Sequence, residues 1–240
     1  MPKTIISLRQ VTAFTKRTWW AQPSTGAAIL TIGCAALTTS GTLATSALAS
    51  TNRLTSTRRT TISSGATAGT VASLRQAQTD CWRGNSAGLG GFVYTVRFGL
   101  DTLQTGMRAF IGLADVTTVP TNVDPTTNTT PGKIGVAINA STGNWQLVTN
   151  VTASAPTVTD LGANFPVNVT DLLELTLSCS ANDGGISWVV TNLSSGNESR
   201  GRVTTNLPAN TTFLSPSIWV TNNATAAAAI LAIAKIYMEN

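Results

Sequence analysis

Phe92-Val93-Tyr94-Thr95-Val96-Arg97-Phe98 decides how the rest of the chain is read. Phe92, Tyr94, Val96 and Phe98 share one side of a period of two, and Val93, Thr95 and Arg97 share the other. Successive side chains of an extended chain point to opposite faces, so this is a strand with one apolar face. The aromatic face belongs in a core, and Arg97 belongs in solvent or against a partner. Leu173-Glu174-Leu175-Thr176-Leu177 repeats the pattern with leucines.

Working outward, the chain from about residue 60 alternates short runs of Val, Ile, Thr and aromatic residues with Gly, Asn, Pro and Asp clusters. Such punctuation marks strands joined by turns. The expected strands are Gly91–Gly99, Met107–Leu113, Lys133–Asn139, Trp145–Thr149, Leu172–Cys179, Ile186–Asn192, Glu198–Thr204, Leu214–Val220 and Ala227–Met238. The last run is rich in alanine, but Ile230, Ala232, Ala234 and Ile236 alternate with Leu231, Ile233, Lys235 and Tyr237, which reads as strand rather than helix. Small residues on both sides suggest that it is covered on both faces, with a sister subunit as one source of cover. Strands at this spacing predict an all-β fold, a jelly-roll-like two-sheet sandwich. Two long Pro-containing loops, 115–132 and 152–170, are expected to make binding or subunit contacts.

Charge divides the chain differently. Only 10% of residues are charged, against about 25% in ordinary soluble proteins. Lys3, Arg9, Lys16, Arg17, Arg53, Arg58, Arg59 and Arg75 precede the first acid, Asp80. The remaining residues carry seven basic and ten acidic groups, so the net charge of +5 comes from the N-terminal third. That segment is rich in Thr, Ser and Ala and poor in large apolar side chains. It is expected to be an extended, basic N-terminal arm over residues 1–57, followed by a sandwich domain over 58–240. Arg9, Lys16, Arg17, Trp19 and Trp20 are its candidate docking residues. A secretory leader ending near Ala47-Leu48-Ala49 is the competing reading. The apolar stretch 26–37 is about 12 residues long where a membrane span needs about 20. The basic residues are too dilute to argue for nucleic acid, which calls for dense Lys/Arg blocks.

The chemistry-bearing residues are sparse. There is no histidine, which removes the commonest general base and zinc ligand. Cys34, Cys81 and Cys179 have no metal-ligand spacing and read as small buried residues. Asp101, Asp115, Asp124, Asp160, Asp171 and Glu174 are scattered, whereas a glycosidase needs two carboxyls about 5–10 Å apart in a cleft. Asp115, Asn122 and Asp124 offer a thin set of oxygen ligands for calcium. No catalytic residue, cofactor or metal site is therefore assigned. Arg97, Trp145, Trp188 and Trp219 are the candidate subunit or receptor contacts, since tryptophan either fills a core or stacks on a sugar.

Several ordered motifs then carry a family resemblance. They include Trp82-Arg83-Gly84-Asn85, Gly88-Leu89-Gly90-Gly91-Phe92, Arg108-Ala109-Phe110-Ile111-Gly112-Leu113, Ile134-Gly135-Val136, Asp160-Leu161-Gly162-Ala163-Asn164-Phe165-Pro166 and Trp219-Val220-Thr221-Asn222-Asn223. Over residues 58–237 the chain resembles a C-terminal β-domain of tailed-bacteriophage tail fibre, head fibre and minor virion structural proteins. The resemblance implies a jelly-roll-like fold, a homotrimer, contact with other virion proteins and a place on the virion exterior after assembly in the bacterial cytoplasm. It implies no catalytic site. The expected function is a non-enzymatic short fibre or decoration protein, docked by its arm and displaying its β-domain for attachment to a host-surface glycan. The alternatives are a secreted carbohydrate-binding module with residues 1–49 as signal peptide, and a glycan depolymerase.

Overall fold

The computed structural model describes residues 17–23, 29–32, 37–139 and 141–240. Among these residues there is no helix. The strands are β1 (Thr18–Pro23), β2 (Ile29–Ile32), β3 (Thr38–Ser40), β4 (Thr42–Thr45), β5 (Thr60–Ser63), β6 (Val71–Arg75), β7 (Phe92–Thr102), β8 (Arg108–Ala114), β9 (Lys133–Ile138), β10 (Gln146–Asn150), β11 (Thr157–Asp160), β12 (Leu173–Cys179), β13 (Ile186–Asn192), β14 (Glu198–Val203), β15 (Ser215–Thr221) and β16 (Ile230–Glu239). Nine of them form a sheet in the order β14-β13-β12-β7-β16-β1-β2, with β5 on β16 and β4 on β5. Seven form a second sheet in the order β11-β10-β9-β8-β15-β6-β3. The inner faces of the two sheets enclose one large apolar cluster. The all-β sandwich expected from the sequence is what forms.

The aromatic strand sits where its pattern put it. Phe98, Val96 and Tyr94 on β7 lie opposite Leu173, Leu175 and Leu177 on β12, all on the core side. Arg97 lies opposite Glu174 on the other face, and its Nε donates to Glu174 Oε2 at 2.5 Å. Trp145 meets Phe98 edge-on at 5.0 Å between ring centroids.

The last strand departs from strict alternation. β16 loses register with β7 between Ile233 and Lys235, a bulge that leaves Ala234 out of step. Leu231 and Ile233 face the core before it, and Ile236 and Met238 after it. The second face is covered at Ala232 by Leu54 and Leu172 of the same chain, rather than by a sister subunit. Gly99 on β7 makes this possible, since a Cβ there would stand 2.7 Å from Leu54 Cδ1.

The segment expected to be a free arm differs most. β1 pairs with β16 on one side and β2 on the other, inside the nine-stranded sheet. Trp19 is 0% exposed and belongs to the core cluster. Its indole N–H and the Arg17 guanidinium both bind the Asp80 carboxylate, Arg17 at 2.5 Å. The Asp80 side chain is only 2% exposed. The last basic residue before the strand and the first acid of the chain thus form an internal clamp. Arg59 likewise pairs with Asp101 at 2.6 Å. The boundary placed at residue 57/58 therefore does not separate two packing units, because strands on both sides of it share the same sheets. Arg9, Lys16 and Cys34 lie outside the described residues.

Tyr94 carries an unusual polar atom. Its hydroxyl is fully buried and has no hydrogen-bond partner among the described residues. A buried, unsatisfied hydroxyl costs about 1–3 kcal/mol. Tyr94→Phe is expected to raise the unfolding free energy by about 1 kcal/mol or more in urea titrations at pH 7. Burial also pushes the phenol far above its ordinary range, with the nearby Cys81 adding to the shift. The unfolded chain then releases this proton above about pH 10 while the folded chain keeps it. Stability falls with rising pH in that window, and Tyr94→Phe should flatten that part of the fall. A variant less stable than the parent at pH 7 would refute the assignment.

Candidate functional site

The outer face of the seven-stranded sheet carries a second small core. Phe110 on β8, Ala137 on β9, Val148 on β10 and Trp219 on β15 pack together there, with Val71 and Val123 against them. Val123 comes from the long loop between β8 and β9. The loop is tied down at several points. Asn122 Oδ1 accepts from Thr221 Oγ1 at 2.9 Å, and Asn139 Nδ2 donates to Thr126 Oγ1 at 3.0 Å. Asn150 Nδ2 donates to the carbonyls of Thr129 and Pro131 at 3.0 and 3.1 Å.

Between these anchors the loop arches away from the sheet. It leaves a cavity of ≈ 470 Å³ whose floor includes Phe110, Ser217 and Trp219 and whose loop wall includes Val119, Pro120 and Pro131. Small residues lie side by side on the strands next to Ser217. Gly112 on β8 is opposite Gly135 on β9 and Ser217 on β15. A Cβ on Gly112 would stand 2.2 Å from the Ile134 carbonyl oxygen, so no larger residue fits without moving backbone. Trp219 and Phe110 sit 6.4 Å apart at 33°, and Trp219 remains 6% exposed.

Two charged groups border the cavity. Lys133, buried at the start of β9, donates from Nζ to the Asn128 carbonyl at 2.7 Å. Burial lowers its pKa to about 8, while Asp115 acts in the opposite direction. The ammonium is therefore still mostly charged at pH 7. Asp115 accepts a hydrogen bond from Thr152 Oγ1. An apolar floor with aromatic rings, a rim of hydroxyls and amides, and one acid and one amine can hold a small polar ligand with an apolar face.

The three side chains considered as calcium ligands each have partners within the protein. Asp115 is engaged by Thr152, Asn122 by Thr221, and Asp124 Oδ1 accepts from the Thr126 N–H and hydroxyl at 2.8 and 2.7 Å. Among the described residues no group of three or more His, Cys, Asp or Glu is placed to hold a metal ion. Cys81 and Cys179 are free and buried, as their isolation in the sequence suggested.

The candidate contact residues divide sharply. Trp145 and Trp188 are buried in the main core and are not available as contacts. Gly201 opposite Trp188 leaves room for that ring. Arg97 is on the outer face of the nine-stranded sheet, held by Glu174. Trp219, on the outer face of the seven-stranded sheet, borders the cavity described above. Arg17 and Trp19 are spent on Asp80, while Trp20, half-buried, lies beside Tyr237 on the outer face. Sequence reading passed over Phe110, Lys133 and Ser217. All three sit inside expected strands, and the alternation with the core residues Ile111, Ile134 and Ile218 is the signal that could have placed them on the other face. It also passed over Trp82, stacked at 5.0 Å on Phe213, which is 49% exposed.

The sequence matches no family model and no curated protein sequence. Solved structures are similar in fold. A protein of unknown function from Shewanella oneidensis MR-1 is 14% identical with a TM-score of 0.58, covering 100% of this chain and 96% of that one. The lectin UEA-II, complexed with galactose, is 11% identical with a TM-score of 0.59, covering 93% and 98%. A carbohydrate esterase from Shiga toxin-encoding bacteriophage phi24B is 16% identical with a TM-score of 0.51, covering 85% and 89%. At these identities the likeness establishes the fold alone, a legume-lectin-like β-sandwich.

Proposed function

We propose that the chain is a structural protein on the exterior of a phage virion, and that its lectin-like domain binds a glycan in the cavity beneath the 115–132 loop. The observation that carries the glycan reading is the cavity itself. Trp219 edges its floor above the fully buried Phe110, and Thr118, Asn128, Asp115 and Lys133 line it with polar groups. Sugars present an apolar ring face and a hydroxyl-rich edge, and this lining matches both. The galactose in the lectin UEA-II complex and the carbohydrate substrate class of the phage esterase are consistent with that use of the fold. The virion reading is supported by the collinear motifs from Trp82 to Asn223 that resemble phage fibre and minor virion domains.

The domain acts by binding and not by catalysis. Several acids are held in ion pairs, such as Arg97–Glu174 and Arg59–Asp101, and Asp115 at the cavity is held by the Thr152 hydroxyl. A secreted module cleaved after residue 49 is disfavoured on packing grounds. That cut would remove β1 to β4, and with them Trp19 from the core.

Titration of the full chain with galactose, bacterial lipopolysaccharide and capsular polysaccharide tests the glycan half. Saturable binding to at least one is expected. Thr118 is exposed at the rim, so Thr118→Arg should weaken binding by about tenfold or more, equivalent to about 1.4 kcal/mol, with an unchanged melting temperature. Absence of binding to all three, or binding indifferent to Thr118→Arg, overturns the site. Antibody labelling of intact particles tests the virion half, and unlabelled particles overturn it.

A further inference from the structure

The nine-stranded sheet ends at β14, Glu198-Ser199-Arg200-Gly201-Arg202-Val203, and among the described residues no strand pairs with its outer side. The direction of its backbone groups follows from the ladder. Asn192 N–H donates to Asn197 O at 2.8 Å. Bonded and non-bonded pairs alternate along an antiparallel ladder. With Val190 opposite Ser199 and Trp188 opposite Gly201, the N–H and C=O groups of Ser199, Gly201 and Val203 turn toward β13. Those of Glu198, Arg200 and Arg202 turn outward.

Open edges are usually blunted by proline, a bulge or charged side chains, lysine above all. β14 has no proline, and no register shift interrupts its pairing with β13. Its charges are of opposite sign. Arg200 is highly exposed, its side chain at 77%, and among the described residues its one ion partner is Glu198 two residues away at 3.4 Å. Arg202 is already bound to Asp183.

The order of these residues makes the strand complementary to itself. A second β14 laid antiparallel and centred on Ser199 sets Glu198 against Arg200 of the partner subunit, and Arg200 against Glu198 of the partner subunit. Both are outward-turned, so each of these pairs exchanges two backbone hydrogen bonds. Centring on Arg200 sets that residue against its own copy and offers Glu198 only Arg202, which is already bound to Asp183. Centring on Gly201 sets Arg200 against Arg202. Both registers place like charges face to face, which destabilises a sheet, whereas centring on Ser199 places none. Registers centred between residues set outward groups against inward ones.

We infer that β14 is the contact of a two-fold dimer, in which two nine-stranded sheets join edge to edge through the self-complementary Glu198-Ser199-Arg200. An interface of this kind takes its affinity from main-chain hydrogen bonds and its register from side chains. A two-fold contact uses the same patch on both copies, whereas a three-fold ring joins two different patches head to tail. The trimer implied by the phage resemblance would therefore need some other surface. The inference is independent of the glycan site, since its readout is mass and not binding.

Sedimentation equilibrium of the full chain from micromolar to near-millimolar concentration tests it. The mass should rise toward twice that of one chain. Glu198→Arg and Arg200→Glu each place like charges opposite one another and should each weaken association by about tenfold or more. Both sites are exposed, so the melting temperature of the single chain should not change. Glu198→Arg combined with Arg200→Glu restores opposite charges and should restore the dimer. A monomer at every concentration, a trimer, a dimer indifferent to the single reversals, or failure of the combined variant to recover would each overturn the inference.

Discussion

Deleting residues 1–55 should abolish cooperative folding of the rest of the chain, whereas deleting residues 1–16 should leave it folded. The longer deletion removes β1 to β4 and Leu54. Trp19 is a fully buried core side chain, and emptying such a site costs about 3–5 kcal/mol. Asp80 would also lose both Arg17 and the Trp19 indole, a smaller loss because the Arg17 side chain is half exposed and such pairs contribute about 0–1 kcal/mol. With the strand pairings of β1 to β4 lost as well, the deletion removes a large part of the roughly 5–15 kcal/mol that holds an ordinary domain together. The edge of β16 now covered by β1 would also be bared to other chains. Near-ultraviolet circular dichroism and a thermal melt distinguish the outcomes. A sharp, parent-like melt from the 56–240 fragment would refute the integration of β1 into the sandwich. Deletion of 1–16 spares every strand named above, so it is also the truncation with which to ask whether the N-terminus docks onto particles.

Trp145→Ala should cost about 3–5 kcal/mol of stability, near the largest effect a single substitution has. Trp145 sits among the largest fully enclosed side chains, edge-on to Phe98, and its backbone N–H donates to Phe165 O at 2.9 Å. Its removal leaves a void between β7 and the loop holding Phe165 that neighbouring side chains cannot fill without shifting both sheets. The expected readout is a large fall in the denaturant midpoint with an unchanged slope. A loss below about 1 kcal/mol, in the range of surface substitutions, would show that Trp145 is not the packing centre described above. The same experiment separates Trp145 from Trp219, whose indole borders the cavity and whose proposed role is in binding.

What was legible in the sequence tracks how local the signal is. Each of the nine expected strands is present, with ends moved by at most a few residues. All but β14 have large apolar side chains that declare one buried face without knowing what covers it, whereas β14 has Val203 alone and no buried face. β11 was hidden in a loop because Thr157–Asp160 pairs with β10 as an exposed edge, where no face is buried and no apolar period is needed. β3 and β4 are three- and four-residue strands of mostly Thr, Ser and Ala, too short and too polar to show a period. The candidate cavity was half legible. The loop was marked by its prolines and its length, but the floor depends on Phe110, Ser217 and Trp219 meeting beneath it from two different strands, and Phe110 is far from the others in the chain.

The sequence by itself determined the class of fold and the faces of its central strands, because side-chain direction in a strand is a local, two-residue property. It also determined that no histidine-based or clustered-cysteine chemistry is available. Only the tertiary structure decided that Arg17 and Trp19 serve Asp80 instead of an outside surface. Charge surplus says that a cation needs a partner but not where the partner is. Only the structure separated Trp145 and Trp188 from Trp219, since identical side chains acquire different roles from what packs over them. And only pairing left β14 as an edge, because a strand is an edge by virtue of the neighbour it lacks, which no stretch of sequence contains.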